Sequence, residues 1–106
     1  MNERLDERCI SEMRNLGPCC ERDLSAVGIT TAANLKQIGV EEAFRQLLIG
    51  RRQRGLEVTC CNAAYLYALH GAVYDLDWRE LPEDLEQRYK DFAAEMRQSI
   101  ALRGRG

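Results

Sequence analysis

The chain has 106 residues, room for one compact domain and too few for two. Fifteen Lys and Arg face 17 Asp and Glu, and the formal net charge of −2 with a pI near 5.4 excludes a broadly basic nucleic-acid coat. Hydrophobic residues at 45% and charged residues at 30% exclude a disordered chain, and no apolar run approaches the ~20 residues of a membrane span.

All the periodicity in the sequence is helical, and no stretch alternates as a half-buried strand must. Leu5, Cys9, Met13 and Leu16 predict a first helix over about residues 3–14, broken by Arg14-Asn15-Leu16-Gly17-Pro18. Pro18 suits the first turn of a second helix, which carries Leu24 and Val27 inward and stops at Gly28. Thr30 and Thr31 are N-cap candidates for a short helix holding Leu35 and Ile38 and ending at Gly39. The next helix spans about Val40 to Gly50, with Ala43, Phe44, Leu47 and Leu48 on one face and arginines at its negative pole. Thr59 is the expected cap of a helix over 60–74, in which only Asn62 and His70 are strongly polar; a helix apolar nearly all round is a central one. Trp78 is expected to cover one end of the core. A last helix over about 83–102 shows the stripe Leu85, Tyr89, Phe92, Ala93, Met96 and Ile100, and the tail RGRG is expected to fray. The fold predicted is all-α: five to six short helices around a central apolar helix at 60–74, with a helix-hairpin-helix-like N-terminal part. Neither an internal repeat nor a low-complexity segment interrupts a single domain over 1–106.

The start MNERLDER is too charged for a signal peptide, so Cys9, Cys19, Cys20, Cys60 and Cys61 are expected to stay reduced in a cytoplasm. Neighbouring cysteines on a helix point about 100° apart, and neither doublet has the C-x-x-C spacing of zinc sites. The five are read as small buried or half-buried side chains.

Enzyme chemistry finds little support. His70 is the lone histidine and sits in the most apolar helix, where a satisfied core or cleft histidine is the ordinary case. No nucleophile has a base and orienting acid in usable context, and the glycine-rich phosphate and dinucleotide motifs are absent. Asp75, Asp77, Glu80, Glu83, Asp84 and Glu86 stand against one Arg79, a local net of −5, without the loop pattern of a calcium hand. They read as a solvated surface with helix-start carboxylates.

Two features invite a nucleic-acid reading. The tight turn at Asn15, Leu16 and Gly17 before Pro18 can present backbone amides to a phosphate, and Asn15 and Gly17 tolerate the positive φ of such a hairpin. Against this, Glu21 and Asp23 follow the turn and would repel a phosphate. The second feature is the cluster Arg45, Arg51, Arg52 and Arg54, with no acid between them; 13 of the 15 basic residues are Arg, whose fork fits phosphate. Each also has a plain reading, as a turn that orients two packed helices and as a solvated helix end.

The segments Arg14–Leu47 and Leu66–Pro82 resemble the C-terminal domain of the TfoX/Sxy proteins, bacterial regulators of natural competence. The family pattern is an asparagine-hydrophobic-glycine-proline turn, here Asn15 to Pro18, then a glycine-to-glycine step, here Gly28 to Gly39. A leucine-tyrosine-alanine-leucine-x-glycine-alanine helix follows, here Leu66 to Ala72, ending near a tryptophan, here Trp78. Together these elements cover about residues 14–82. The resemblance implies an all-helical domain with no enzymatic activity and no bound cofactor, contacting DNA or the transcription machinery. Full-length members carry an N-terminal α/β domain, so the chain is read as a stand-alone C-terminal domain; the cysteine doublets are outside the pattern.

The leading expectation is therefore a non-catalytic binding module that contacts DNA or a transcription-related protein, through Asn15, Leu16, Gly17, Arg45, Arg51, Arg52 and Arg54. The alternative is a protein–protein interaction or homo-oligomerisation domain, a homodimer burying the Arg45–Arg54 surface. A third class is a redox or metal sensor built from Cys19, Cys20, Cys60 and Cys61, which requires the doublets within disulfide reach.

Overall fold

The computed structural model describes residues 7–58 and 61–103, with side chains through residue 100. Five α-helices follow one another: α1 Pro18–Ser25, α2 Ala32–Ile38, α3 Val40–Gln53, α4 Ala63–Tyr74 and α5 Glu83–Arg103. Two 3-10 turns, Ile10–Glu12 and Trp78–Glu80, precede α1 and α5. The all-α class is as the periodicity predicts: among the described residues there is no strand, only an isolated antiparallel bridge between Cys9 and Thr31.

The helix expected over 3–14 is replaced, in its described part, by the 3-10 turn. The Arg8 carbonyl, which would receive the Glu12 amide in an α-helix, is taken by the Ala32 N–H at 2.9 Å. Glu12 bends back to accept the Cys9 N–H at 2.7 Å, and its own amide reaches Cys9 O at 3.0 Å. Met13 and Leu16 of the predicted stripe do enter the core, but Ile10 joins them in place of the exposed Cys9, a spacing of three; Leu5 lies outside the described residues. The turn at 14–18 thus joins a 3-10 turn, and not a preceding α-helix, to α1.

Local rules govern most other boundaries. Pro18 opens α1, and α1 closes when Ile29 N–H returns to Leu24 O at 2.9 Å and Gly28 N–H to Ser25 O at 3.0 Å. Thr31 Oγ1 accepts the Asn34 N–H at 3.2 Å and caps α2. Gly39, at φ 92°, ends α2 and begins α3 in a single-residue corner that a side chain would strain. α3 runs on to Gln53, past the expected stop at Gly50. α4 starts at Ala63, later than expected, because Asn62 Oδ1 accepts the Ala64 N–H at 2.9 Å. The expected cap Thr59 and the expected first residue Cys60 lie outside the described residues, as do 104–106 of the tail.

α4 packs against α2, α3 and α5, and α3 touches all four other helices, so the two share the middle of the fold. Leu66 and Leu69 of α4 are fully buried, as are Phe44, Leu47 and Leu48 of α3, each worth roughly 1.5–3 kcal/mol of transfer free energy. The Phe44 ring centroid lies 6.3 Å from that of Tyr65 and 6.2 Å from that of Phe92, which links α3 to α4 and α5. The stripe of α5 closes the core with Tyr89, Ala93 and Ile100 buried and Leu85, Phe92 and Met96 packed beside them.

Candidate functional site

The predicted turn residues have structural work. Asn15 is left-handed at φ 71°, as expected of a residue whose amide side chain tolerates that region. Gly17 is not: at φ −132° and ψ −169° it is extended backbone that any residue adopts. Leu16 is buried at 7% exposure and offers no surface. The amide of Asn15 donates from Nδ2 to Leu76 O at 3.1 Å, across 61 residues of sequence. Glu21, in the first turn of α1, accepts both the N–H (3.1 Å) and the hydroxyl (3.0 Å) of Ser11. A carboxylate therefore already occupies the neighbourhood where a phosphate would approach the helix start.

The arginines do not form one outward patch. Arg51 Nη1 lies 2.9 Å from Asp23 Oδ2 and Arg54 Nη2 lies 3.3 Å from Asp23 Oδ1, with Asp23 itself only 2% exposed. Tyr65 completes the group by donating its hydroxyl to Asp23 Oδ2 at 2.8 Å. Arg51 also donates from Nε to Glu57 O at 2.7 Å, and Arg54 from Nε to Gly50 O at 3.3 Å. Arg45 pairs along its own helix with Glu42 (Nε to Oε1, 2.9 Å), which holds the Glu42 carboxyl below the usual range through that bond. Arg52 and Arg54 are both exposed, and Arg52 is the one of the two outside the Asp23 group.

Asp23 is the residue that sequence reasoning misplaced, as a surface acid near the turn. It shares the inner face of α1 with Cys20 and Leu24, with Val27 packed just beyond the helix end, and an acid within such a stripe is a signal for a buried cationic partner. Burial is the main cause that pushes the Tyr65 hydroxyl well above its ordinary value, with Cys20 and Asp23 adding to it. The Cys20 thiol is likewise raised, chiefly by burial.

The cysteines divide differently from expectation. Cys61 is buried and Cys20 half-buried, but Cys9 and Cys19 are exposed. Cys60 lies outside the described residues. Among the described residues no three His, Cys, Asp or Glu side chains are grouped to hold a metal ion. His70 is a satisfied cleft histidine: Nδ1 is 2.9 Å from the Tyr89 hydroxyl, and the ring centroid is 4.6 Å from that of Tyr74. Burial lowers its pKa. The cleft beside it, about 480 Å³, is bounded by the Gly39 corner and by Arg88, which pairs with Glu41 at 2.9 Å.

The feature that sequence reasoning missed is the segment after α4. Tyr74, Leu76 and Trp78 are 60%, 42% and 45% exposed, three of the four large hydrophobic side chains that stand out among the described residues. Trp78 does not cover the core; Leu81, buried, is the residue of this segment that enters it. The backbone is firmly held. Asp75 takes the left-handed conformation at φ 57°, Leu76 N–H returns to Gly71 O at 2.8 Å, and Leu76 O receives Asn15. Asp77 caps the Trp78–Glu80 turn by accepting the Arg79 N–H at 2.9 Å and pairs with the Arg79 guanidinium at 2.8 Å. Those bonds hold its carboxyl far below the usual range.

A family model, the TfoX C-terminal domain, matches residues 6–93. The chain belongs to that family. The match extends on both sides of the 14–82 span recognised from the motifs. No curated protein matches the chain. Two solved structures resemble this TfoX C-terminal domain, both of proteins from Listeria monocytogenes at 32% identity. One, a triclinic crystal form of an uncharacterized protein, aligns with a TM-score of 0.69 over 83% of this chain and 92% of its own. The other, a tetragonal form of a protein of unknown function, aligns at 0.67 over 81% and 98%. No helix among the described residues is long and apolar enough to cross a membrane.

In this TfoX C-terminal domain the two motifs that carried the resemblance meet in space. A Cβ on Gly71 of the α4 motif would run into Nδ2 of Asn15 from the turn motif and stand 2.5 Å from the Leu76 carbonyl oxygen. Gly71 is the residue that lets the turn and the Leu76 backbone close upon α4. The two motifs together make the mounting of the exposed Tyr74–Trp78 segment.

Proposed function

We propose that this TfoX C-terminal domain is a non-catalytic binding module of the competence-regulator type, and that its partner is a protein, of the transcription-related class the family suggests. The observation that carries the choice of protein over DNA is the inward turn of Arg51 and Arg54 onto buried Asp23. One carboxylate offsets one of their two charges and main-chain carbonyls take both Nε–H donors, so a phosphate would have to displace bonds that hold the fold. The acid-rich stretch from Asp75 to Glu86 adds repulsion toward a polyanion. The satisfied state of His70, in a cleft whose lining holds no Ser, Thr or Cys, supports the non-catalytic part.

Anisotropy of a labelled DNA duplex at low ionic strength tests the choice. The expected result is no saturable binding, with wild type and Arg52→Glu indistinguishable. Salt-sensitive binding that Arg52→Glu abolishes would return the assignment to DNA. A homodimer through the end of α3 has one observation in its favour, the 40% exposure of Leu56, and a doubled mass in light scattering would decide for it.

A further inference from the structure

We infer that the Tyr74–Trp78 segment, with the groove that Trp78 forms against Ala64 and Ala68, docks a basic segment of a partner protein bearing an apolar anchor side chain. This rests on the protein-docking reading above and gives that reading a place and a chemistry.

The groove has a volume of about 240 Å³ between Asn15, Ala64, Ala68 and Trp78, room for a leucine-sized side chain. Small residues on α4 form its floor and an indole its wall, the concave apolar arrangement in which interface anchors sit. Its rim is rigid before any partner arrives. Asn15, Gly71 and Leu76 are locked by hydrogen bonds and by an approach too close for a Cβ, and Asp77 clamps the turn that carries Trp78. Exposed apolar side chains on a preorganised backbone lose little conformational entropy on binding.

Charge selects the occupant. Asp75 and Asp77 lie within the segment and Glu80 just beyond it; Asp77 is engaged by Arg79 and also feels Arg14, which leaves Asp75 and Glu80 to set the local field. Lysines or arginines flanking the anchor would meet this field, lay their aliphatic stems on Leu76 and place their heads over the Trp78 ring. Nucleic acid and anionic membranes carry the wrong sign. A second copy of this chain, itself net negative, has its Arg51 and Arg54 tied to Asp23.

Trp78 is the chain's single tryptophan, so its emission reports on this face alone. The experiment selects a displayed library of random peptides against the full chain, then titrates the enriched peptides against it in solution. Enrichment of Lys- and Arg-rich sequences with a recurrent Leu, Ile, Met or Phe is expected. Their binding should shift Trp78 emission to the blue, saturably, and weaken as salt rises. Affinity should fall about tenfold in Leu76→Ser and by a smaller factor in Asp75→Asn, which removes a charge while keeping a residue suited to positive φ. Enriched sequences that are acidic, or whose binding leaves Trp78 emission and the Leu76→Ser variant unaffected, would overturn this surface while leaving protein docking in place. No enrichment at all would overturn both. A blue shift driven by protein concentration alone would assign the face to a second copy and overturn the basic partner.

Discussion

Two regions of the molecule invert the usual placement of side chains. Around Asp23, three charged groups and a phenol are drawn inward and bonded to one another. Around Trp78, two aromatic rings and a leucine are held outward on a stiff loop. The first arrangement is what a fold does with charges it must bury: every member is satisfied, and no buried polar side-chain atom lacks a partner among the described residues. In the second, Tyr74 keeps one internal contact, its ring on the His70 imidazole, while Leu76 and Trp78 remain 42% and 45% exposed. Hydrophobic area left in water contributes nothing to the stability of the isolated chain, so its explanation lies outside the chain. The contrast separates residues that make the structure from residues that use it.

The largest test of that separation is Asp23→Ala. It strands the Arg51 and Arg54 guanidiniums and the Tyr65 hydroxyl in a half-buried site, and denaturant unfolding should reveal a loss of about 3–5 kcal/mol. A loss under about 1 kcal/mol would mean that the arginines find water and that their inward pairing is incidental. Gly71→Ala attacks the mounting of the outward region. The new methyl displaces Asn15 and the Leu76 carbonyl, and thermal melting should register about 1–3 kcal/mol, in spite of alanine's better helix propensity. Combining it with Asn15→Gly, which keeps positive φ and removes one obstructing group, should cost less than the sum of the two single changes.

A smaller effect sharpens the link between the outward loop and the His70 cleft, since the Tyr74 ring packs on the imidazole. Burial lowers the His70 pKa in the folded chain, so the unfolded chain takes up the proton first as pH falls from about 6.5. Stability contributed by neutral His70 is therefore present above that value and lost below it. The melting temperature should drop between about pH 7.5 and 5.5, and His70→Gln should flatten the drop. The smallest expected effect is that of Trp78→Ala on stability, within about 0.5 kcal/mol by the same denaturant assay, although tryptophan is the bulkiest side chain in the molecule. A loss of several kcal/mol there would make Trp78 a core residue after all.

Much of this contrast was invisible in the sequence for reasons of distance. Arg51 and Arg54 look unopposed because their acid lies 28 and 31 residues upstream, within a different helix. Asp23 looks like a surface acid until its helical face is drawn, when it falls beside Cys20 and Leu24. Trp78 follows a buried helix and would be expected to fold back upon it; the clip from Asn15 to Leu76 prevents this, and nothing local announces a bond spanning 61 residues. The replacement of the expected first helix, over its described part, has the same origin, since the Arg8 carbonyl is claimed by Ala32 at the start of α2. What was legible was local. Thr31 as a cap of α2, Gly39 between two helices, and the apolar stripe of α5 are patterns that short-range sterics and hydrogen bonding decide. The fold class and the family could be read from such pieces; the roles of the candidate site residues could not.

The ties that hold Asp23 and Asn15 also set a timetable for synthesis. A ribosome delivers the acid well before Arg51, Arg54 and Tyr65, and delivers the Asn15 turn before the Leu76 carbonyl that it grips. Until those later residues leave the exit tunnel, the early half of the nascent chain has no counter-ion to bury and no anchor to close on, and Asp23 must stay hydrated. The N-terminal third should thus emerge open and accessible to chaperones, and lock only when α4 and the residues just beyond it arrive.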